Sequence, residues 1–427
     1  MSREMKDSGV EWIGEIPEGW NVCKIDSLYY PRSTKVSDKD YLPLSVTMKG
    51  IVPQLSSTAK TDDHDNRKLV KKGDFAINSR SDRRGSCGIS EYDGSVSLIN
   101  TVLQPRHGMN NEYYNWLFHS DMFSSEFYRL GHGIVDDLRT TSWQEMKKMV
   151  IPAPSPTEQQ QIVHFLDRKC TAIDTAIEKT KKSIEKLEEY KKAVITKAVT
   201  KGIDPNAKMK DSGVEWIGEI PENWDVIKLK YLLKDSMKYG ATETGIEYSE
   251  ELPRYIRITD ITPDNKLKDS GKLSLTEQQA EKYLLKEDTI LFARSGATVG
   301  KTFLYKTEYG RAAFAGYMIS AIPNNDKLLA TWLYYYTLSF SYEDWVNRSF
   351  LQATIQNIGA DKYSNLLISL PCINKQSEIV KYLDGKCAMF DAAIKKKKKA
   401  IEKWEEYKKS LIYYAVTGKI DCRNEVI

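Results

Sequence analysis

The sequence predicts an α+β protein in which two compact domains are separated by two long antiparallel coiled-coil helices, with an internal pseudo-two-fold repeat. Three observations predict this. A short opening segment occurs twice, a long heptad-patterned segment occurs twice, and the stretch before each heptad segment alternates between strand and helix patterns. The 427 residues are enough for two or three domains.

The repeats are plain in the sequence itself. Residues 5–20 (MKDSGVEWIGEIPEGW) and 209–224 (MKDSGVEWIGEIPENW) are identical at 15 of 16 positions, with an offset of 204. Residues 162–204 and 379–421 are identical at 26 of 43 positions, with an offset of 217. The stretch between the repeats is therefore 13 residues longer in the second copy. Because drift would affect all segments alike, we infer that the repeated segments share one task and the variable stretches differ in target.

The two variable stretches have the texture of α+β domains. Each contains short runs rich in β-branched or aromatic residues, bounded by turn residues, as in strands. Each continues into aromatic-rich helical segments and ends in a short apolar strand and a proline. The predicted strands are residues 41–47, 73–80 and 149–154 in the first stretch and 255–261, 288–294 and 366–371 in the second; the helical segments are 112–130 and 328–346.

The long repeated segments are predicted helices. Their apolar residues are spaced alternately four and three apart, which is the a/d pattern of a coiled coil. Glycine follows both helices, at Gly202 and Gly418, as is common after a helix C-terminus. Lys191 and Lys408 interrupt the two seams at matching positions. The seam residues are Leu166, Ile173, Ile177, Ile184, Leu187, Val194, Leu383, Phe390, Ile394, Ile401, Trp404 and Leu411.

Two such helices in one chain can bury their seams by pairing antiparallel, over about 32 residues or roughly 48 Å. Pairing between chains through the same seams is the alternative. The predicted boundaries are 1–156 for the first domain, 157–208 for a central helix, 209–373 for the second domain and 374–427 for a C-terminal helix.

Composition excludes little. The net charge of +4, from 63 basic and 59 acidic residues, permits a nucleic-acid partner without requiring one. No apolar run is long enough for a transmembrane helix, and the first residues lack a secretory apolar region, so we expect a cytoplasmic protein. The six cysteines form no C-x-x-C pair and are expected to be free thiols.

Polar side chains cluster after matching strands of the two variable stretches and in a second loop before each final strand. They are of the types that contact base edges and phosphates, although any solvated loop can hold such residues. The candidates are Arg80, Ser81, Arg83, Arg84, Arg139, Thr140 and Thr141 in the first stretch and Arg294, Ser295, Lys301, Thr302, Gln352, Thr354, Gln356 and Asn357 in the second.

Catalytic motifs are missing from the sequence. Residues 295–302 (SGATVGKT) are one substitution short of a phosphate-binding P-loop, but a strand-like segment follows where a P-loop needs a helix. All five histidines lie in the first copy, so the two halves cannot share a histidine-based site, and no zinc motif occurs. A nucleotide-dependent enzyme using Lys301 and Thr302, and a coiled-coil adaptor without DNA contact, remain alternatives.

The chain resembles the DNA specificity subunits of type I restriction–modification systems over essentially its whole length. The resemblance rests on the repeated SGVEWIGEIPEGW-type segment, on IPAPSPTEQQQIVHFLD and SLPCINKQSEIVKYLD before the two helices, and on ARSGATVGK. Together, in this double order, these motifs are specific. The first domain lacks the Gly-Ala-Thr-Val-Gly-Lys loop, so its contact residues cannot be carried over from the second.

The resemblance implies a non-catalytic subunit with two target recognition domains and two spacer helices. It implies binding to double-stranded DNA, to two methyltransferase subunits and to restriction subunits. S-adenosylmethionine, ATP and Mg²⁺ would be used by those partners, in a complex that methylates adenine and cleaves DNA. Two unlike domains on a pseudo-two-fold axis also predict a bipartite, asymmetric target with an unread gap, because protein geometry determines half-site spacing.

Overall fold

The computed structural model describes residues 3–54, 64–133, 139–262, 266–350 and 357–424. The chain forms two compact units. Unit 1 contains Met1–Lys181 with Lys398–Ile427, and unit 2 contains Lys182–Lys397. Each unit thus combines one variable domain with part of both long helices, whereas the sequence-based boundaries treat domains and helices as four consecutive segments.

Unit 1 is an α+β domain with short strands and mostly short helices. Its strands are β1 Met5–Asp7, β2 Glu15–Pro17, β3 Asn21–Lys24, β4 Tyr29–Pro31, β5 Lys35–Val36, β6 Leu44–Thr47, β7 Gly50–Pro53, β8 Arg67–Val70, β9 Phe75–Asn78, β10 Cys87–Ile89, β11 Gly94–Ser97, β12 Asn100–Pro105 and β13 Val150–Ala153. Its helices are α1 Asn111–Phe118, α2 Asp121–Arg129, α3 Trp143–Met146 and the first part of α4 Pro156–Lys201.

The central sheet of unit 1 is antiparallel, with the order β10-β9-β12-β4. A three-stranded sheet, β11-β8-β5, and the hairpin β6–β7 lie in the same unit. Helices α1 and α2 contribute aromatic residues to the main core, where the rings of Phe75, Phe118 and Phe123 are in contact. The sheet, with β9 in its interior, therefore rests on a buried aromatic layer that contacts β9 at its first residue, Phe75.

Unit 2 repeats this organisation. Its strands are β14 Met209–Asp211, β15 Glu219–Pro221, β16 Asp225–Lys228, β17 Lys238–Tyr239, β18 Ile246–Glu247, β19 Arg254–Ile256, β20 Leu273–Ser274, β21 Ile290–Ala293, β22 Thr302–Leu304, β23 Ala312–Phe314, β24 Met318–Ala321 and β25 Leu367–Leu370. Its helices are α5 Glu277–Ala280, α6 Ala330–Thr337, α7 Phe340–Phe350, α8 Ala360–Ser364 and the first part of α9 Ile373–Val416.

The two units share a central sheet and differ beside it. The order β22-β21-β24-β17 in unit 2 matches β10-β9-β12-β4 in unit 1. The second sheet differs, because unit 2 has β18-β20-β19-β23, in which β19 and β23 are parallel. This sheet surrounds a separate core of its own. The predicted α+β repeat is confirmed, and the difference lies in the smaller sheet.

Both predicted long helices are confirmed, with α4 and α9 comprising 46 and 44 residues. In unit 1 the start of α4 packs with the end of α9, and Ile173 and Leu411 belong to one core. In unit 2 the start of α9 packs with the end of α4, where Val194 contacts the core that contains Leu383. The seams are therefore covered within the chain.

Most predicted seam residues are buried or half-buried. Trp404 is the exception, with 40% of its surface exposed. It lies beside Tyr407, whose ring is 6.0 Å away in an edge-to-face arrangement. The heptad spacing identified the correct helix face, but the residues packed around Trp404 leave part of its side chain exposed to solvent.

Two ion pairs related by the repeat join the helices. In unit 1, Lys408 Nζ lies 2.7 Å from Asp174 of α4. In unit 2, Lys191 Nζ lies 2.7 Å from Asp391 of α9. The offset of 217 relates Asp174 to Asp391 and Lys191 to Lys408, so the same contact is made twice with the helices exchanged. Equivalent residues therefore make the same helix–helix contact once in each unit, as the internal repeat predicts.

Each long helix ends against a repeated opening segment. Gly202 and Gly418 have φ of +73° and +74°, a backbone conformation that favours glycine. A Cβ at Gly418 would lie 2.4 Å from Pro17, and one at Gly202 would lie 3.3 Å from Trp224. The near-identity of the opening segments thus has a packing reason, because each closes the end of one long helix.

The six cysteines all lie in the described ranges, and none of them forms a disulfide with another, as predicted. Among the helices of the described ranges, none is long and apolar enough to cross a membrane.

Candidate nucleic-acid interface

In unit 1 the end of β9 is joined to the second polar loop by backbone pairing. Arg80 and Thr140 form an antiparallel bridge. The Ser81 N–H donates to the Arg139 carbonyl at 2.9 Å, and the Thr141 N–H donates to the Ser79 carbonyl at 2.9 Å. Two loops that are about 60 residues apart in sequence therefore form one surface, a pairing that the sequence analysis did not predict.

The turn after this pairing presents arginines. Residues Ser81–Arg83 form a 3-10 turn, and Arg83 and Arg84 are exposed. Asp82 pairs with Arg80 at 3.2 Å, and the Arg84 guanidinium lies 5.7 Å from the Tyr128 ring centroid. The exposed arginines can bind phosphates or base edges, whereas the guanidinium of Arg80 is partly occupied by its ion pair with Asp82.

Tyr128 supports this turn from below. Its hydroxyl donates to the carbonyls of Asn78 and Arg83, at 2.8 and 3.3 Å. The phenol is protonated at neutral pH and donates there; burial raises the pKa of Tyr128 further, so it stays a donor above the usual titration range of tyrosine, about pH 10. The turn is therefore fixed to the end of β9 by a neutral hydrogen bond.

Unit 2 builds the corresponding surface with other side chains. Ser295 and Asn357 form an antiparallel bridge after β21. The Ile358 N–H donates to the Arg294 carbonyl at 2.8 Å, and the Arg294 N–H donates to the Tyr317 carbonyl at 3.0 Å. A 3-10 turn over Gly296–Thr298 follows. The same backbone plan thus presents a different chemical surface.

Several predicted residues lie elsewhere. Thr302 is 3% exposed and shares a hydrogen bond with the Thr337 hydroxyl. Thr141 is buried and donates to the Phe127 carbonyl. Lys301 Nζ donates to the carbonyls of Ile261 and Thr262. Both hydroxyls are therefore bonded inside the protein, and neither reaches the surface of the paired loops. DNA contact by Thr141 and Thr302 stays a prediction.

Ser81 is also largely buried; its hydroxyl accepts from the Arg139 N–H at 3.0 Å, and it ties the loops together. Gln352, Thr354 and Gln356 lie outside the described residues. The predicted residues that reach the surface of the paired loops are therefore Arg80, Arg83, Arg84, Arg139 and Thr140 in unit 1 and Arg294, Ser295 and Asn357 in unit 2.

The sequence interpretation missed Met48. It lies at the tip of the β6–β7 hairpin and is 71% exposed. Its side chain is close to Gly85, because a Cβ atom added to that glycine would lie 4.0 Å from Met48 Cε. The hairpin tip is tied by a hydrogen bond from the Thr47 hydroxyl to the Gly50 carbonyl. An apolar tip beside the Arg83–Arg84 turn suits contact with a DNA groove, where such side chains act as wedges.

Two tyrosines of unit 2 were also missed. Tyr239 and Tyr317 are 44% and 70% exposed and lie beside Arg294. Each is adjacent to a glycine, and a Cβ at Gly240 would lie 2.4 Å from the carbonyl oxygens of Phe314 and Ala315. The only sequence signal for these tyrosines was that each is next to a glycine. That the two segments approach each other could be seen only in the folded structure.

The described part of the interface has no cluster of metal-binding side chains. No group of three or more His, Cys, Asp or Glu side chains suited to a metal ion occurs among residues 3–54, 64–133, 139–262, 266–350 and 357–424. The P-loop-like segment is followed by strand β22, not by a helix. The polar groups at the strand ends are suited to recognition by hydrogen bonding and charge.

Two similar domains, each with a polar strand-end surface and each packed on parts of two repeated helices, define a protein with two separate recognition surfaces. The family described as Type I restriction modification DNA specificity domain matches residues 17–189 and 221–403. Because these matches cover most of the chain, the chain belongs to this family. It is a specificity subunit with two target recognition domains, one in each unit.

Similar proteins agree with this assignment. The type I restriction enzyme MjaVIII specificity subunit of Methanocaldococcus jannaschii is 25% identical over 429 residues, covering 96% of this chain and 95% of the relative. The StySPI specificity subunit of Salmonella potsdam is 21% identical over 440 residues, covering 96% and 91%. A solved chain from work on complex assembly and conformational transition of the type I R-M system has a TM-score of 0.70 at 15% identity, covering 95% of this chain and 99% of that one.

Proposed function

We propose that each unit reads one half of a bipartite, asymmetric DNA target and that an unread gap separates the halves. The observation that carries this proposal is the repeated pairing of a strand-end loop with a second loop, Arg80 with Thr140 and Ser295 with Asn357. The backbone plan is shared and the side chains differ. The same backbone pairing with different side chains in the two units supports the reading of two unlike half-sites.

Partner subunits supply the chemistry in this proposal. Two methyltransferase subunits bind the repeated elements and methylate adenine with S-adenosylmethionine, and restriction subunits use ATP and Mg²⁺. The repeat-related Tyr190 and Tyr407 are 61% and 50% exposed, in unit 2 and unit 1 respectively. An identical aromatic side chain offered once per unit supports two copies of one partner, since tyrosine is enriched in protein interfaces.

The chain itself acts without catalysis in this account. Lys301 and Thr302, the residues that a nucleotide-dependent enzyme would use, bond to other protein groups. The turn at Gly296–Thr298 is too short to act as a phosphate-binding helix. These contacts disfavour ATP binding by the isolated chain.

The proposal is tested by expressing the chain with its methyltransferase subunits in a host without DNA methylation and sequencing the modified bases. We expect one bipartite motif with methylated adenine, and none when the chain is omitted. A single continuous motif would contradict the two half-sites. Methylation independent of the chain would contradict its role in specificity.

Stoichiometry provides a second test. Native mass spectrometry of the purified complex is expected to show two methyltransferase subunits for each copy of the chain. The Tyr190→Ala and Tyr407→Ala double variant should release methyltransferase more readily than a Tyr92→Ala control. Tyr92 is 40% exposed but has no counterpart in the helix repeat. A complex with one methyltransferase subunit would contradict the proposed arrangement.

A further inference from the structure

Arg294 has a fixed backbone at the end of the central strand of unit 2. Its N–H donates to Tyr317 and its carbonyl accepts from Ile358. Both partners lie in other segments, which clamp the residue on two sides. Its side chain therefore starts from a defined point beside the paired loops.

An aromatic ring holds the guanidinium of this residue. Arg294 Cζ lies 4.8 Å from the centroid of the Tyr239 ring. The ring is held in turn, because the Ala360 N–H donates to the Tyr239 hydroxyl at 3.0 Å. A guanidinium over a ring face is attracted by the ring quadrupole. Such stacking leaves the in-plane N–H groups for hydrogen bonds.

Two polar atoms at this position lack partners. Within the described residues, Arg294 Nε and Asn357 Oδ1 are buried and form no hydrogen bond. Buried polar atoms are normally satisfied, and each exception requires an explanation. Arg294 directly precedes Ser295, and Ser295 pairs with Asn357. The unsatisfied donor and the unsatisfied acceptor therefore belong to the two loops that form the proposed DNA-contacting surface.

The equivalent residue of unit 1 is arranged differently. Arg80 lies 3.2 Å from the Asp82 carboxylate, which occupies part of its hydrogen-bonding capacity. Residue 296 of unit 2, which follows Ser295 as Asp82 follows Ser81, is glycine. The local sequence thus places a carboxylate beside the arginine in unit 1 and none at that position in unit 2.

Resting on the proposed function, we infer that Arg294 reads a guanine in the half-site recognised by unit 2, and that Tyr239 is a positioning residue that holds the arginine. Guanine presents O6 and N7 side by side in the major groove, and the fork of arginine N–H groups matches them. A guanidinium fixed by stacking loses less freedom on binding than a free one. A phosphate is the competing ligand for the same fork.

The experiment uses the complete methyltransferase complex and duplexes carrying its methylated motif. One duplex series replaces each base pair of the unit 2 half-site in turn. The variants are Arg294→Ala, Arg294→Lys, Tyr239→Phe and Tyr239→Leu. Arg311→Ala is the matched control. Arg311 pairs with Glu277 at 2.5 Å, and this ion pair is not part of the paired loops. Methylation rates and binding at several salt concentrations are measured.

We expect Arg294→Ala and Arg294→Lys to lose discrimination at one guanine by about ten- to a hundredfold and to keep it elsewhere. Tyr239→Phe keeps the ring but removes the hydroxyl that accepts from Ala360, so it should lose only a small part of the discrimination, whereas Tyr239→Leu should lose most of it at that guanine alone. Loss that is uniform across all duplexes, with a smaller salt slope, would identify a phosphate contact and overturn the inference. Unchanged discrimination in Arg294→Ala would also overturn it.

Failure of the proposed function is distinguishable from failure of this inference. If the unaltered complex had no bipartite motif, the proposed function would fail. If that complex has the motif and Arg294→Ala discriminates normally, only the inference fails. Folding of unit 2 is monitored by discrimination at the other base pairs of its own half-site, which every variant should retain as the unaltered complex does.

Discussion

At the scale of single residues, the seam lysines act as pairing determinants. Lys191 and Lys408 each meet the repeat-equivalent aspartate of the other helix, at 2.7 Å in both units. Each ion pair is partly exposed, so its contribution to the free energy of unfolding is small, about 0–1 kcal/mol. A polar residue in a seam has its best-attested role in fixing register, and the repeated geometry agrees with that role.

Charge reversal tests this pairing. Lys408→Glu places two carboxylates together and should lower the free energy of unfolding by about 1 kcal/mol. Adding Asp174→Lys should restore most of the loss. Lys403→Glu, on an exposed part of the same helix, is the control for charge alone. Urea unfolding provides the measurement, and a double variant no more stable than Lys408→Glu would contradict the pairing.

Sequence identified residues whose exposure depends on their position directly after a strand, and it failed for residues whose surroundings come from distant parts of the chain. The polar residues after β9 and β21 were chosen from sequence, and the structure shows that each of these segments pairs with a second loop; their DNA contacts stay a prediction. Thr141 and Thr302 could not be distinguished from exposed threonines, because their burial depends on Phe127 and Thr337, which come from helices α2 and α6. Met48 was missed because its neighbour Gly85 lies 37 residues further along the chain.

At the scale of elements, the long helices were the most predictable features. Heptad spacing is local, so α4 and α9 follow directly from sequence. What covers each seam position is not local, and Trp404 remains partly exposed while Leu166 is completely buried. The second sheet of unit 2 was also poorly specified, because strands of two residues such as β18 and β20 form only through their partners.

The difference between Leu166 and Trp404 predicts unequal stability effects. Leu166→Ala removes a fully buried side chain of unit 1 and should lower the free energy of unfolding by about 2–5 kcal/mol. Trp404→Ala removes a larger but partly exposed side chain of the same unit and should have the smaller effect. Urea unfolding followed by circular dichroism compares the two variants. Equal losses would contradict the burial assigned to the seam.

Helix length is predicted to determine the gap in the target. Insertion of four residues in α4 adds about 6 Å at 1.5 Å per residue. At ~3.4 Å per base pair, the unread gap should grow by one or two pairs while both half-sites stay unchanged. Substitution of four exposed residues of the same helix is the control for surface disturbance. Sequencing of methylated DNA gives the gap, and a constant gap would contradict the role of the helix as a spacer.

At the scale of the whole molecule, the packing of a duplicated chain explains which segments of its two halves are nearly identical and which differ. The opening segments are constrained because they close the ends of the long helices, at Gly418 against Pro17 and at Gly202 near Trp224. The helices are constrained by pairing with each other. The strand-end loops have no such common partner, so they can diverge. The small net charge of +4 agrees with a complex in which partners provide much of the DNA affinity.

The central claim is that the two units read their half-sites independently. The most direct test replaces residues 225–370 with the corresponding stretch of another specificity subunit and sequences the methylated DNA of cells that express the complex. The account predicts that one half-site changes to that of the donor subunit, while the other half-site and the gap length are retained. A motif in which both half-sites change would contradict independent reading.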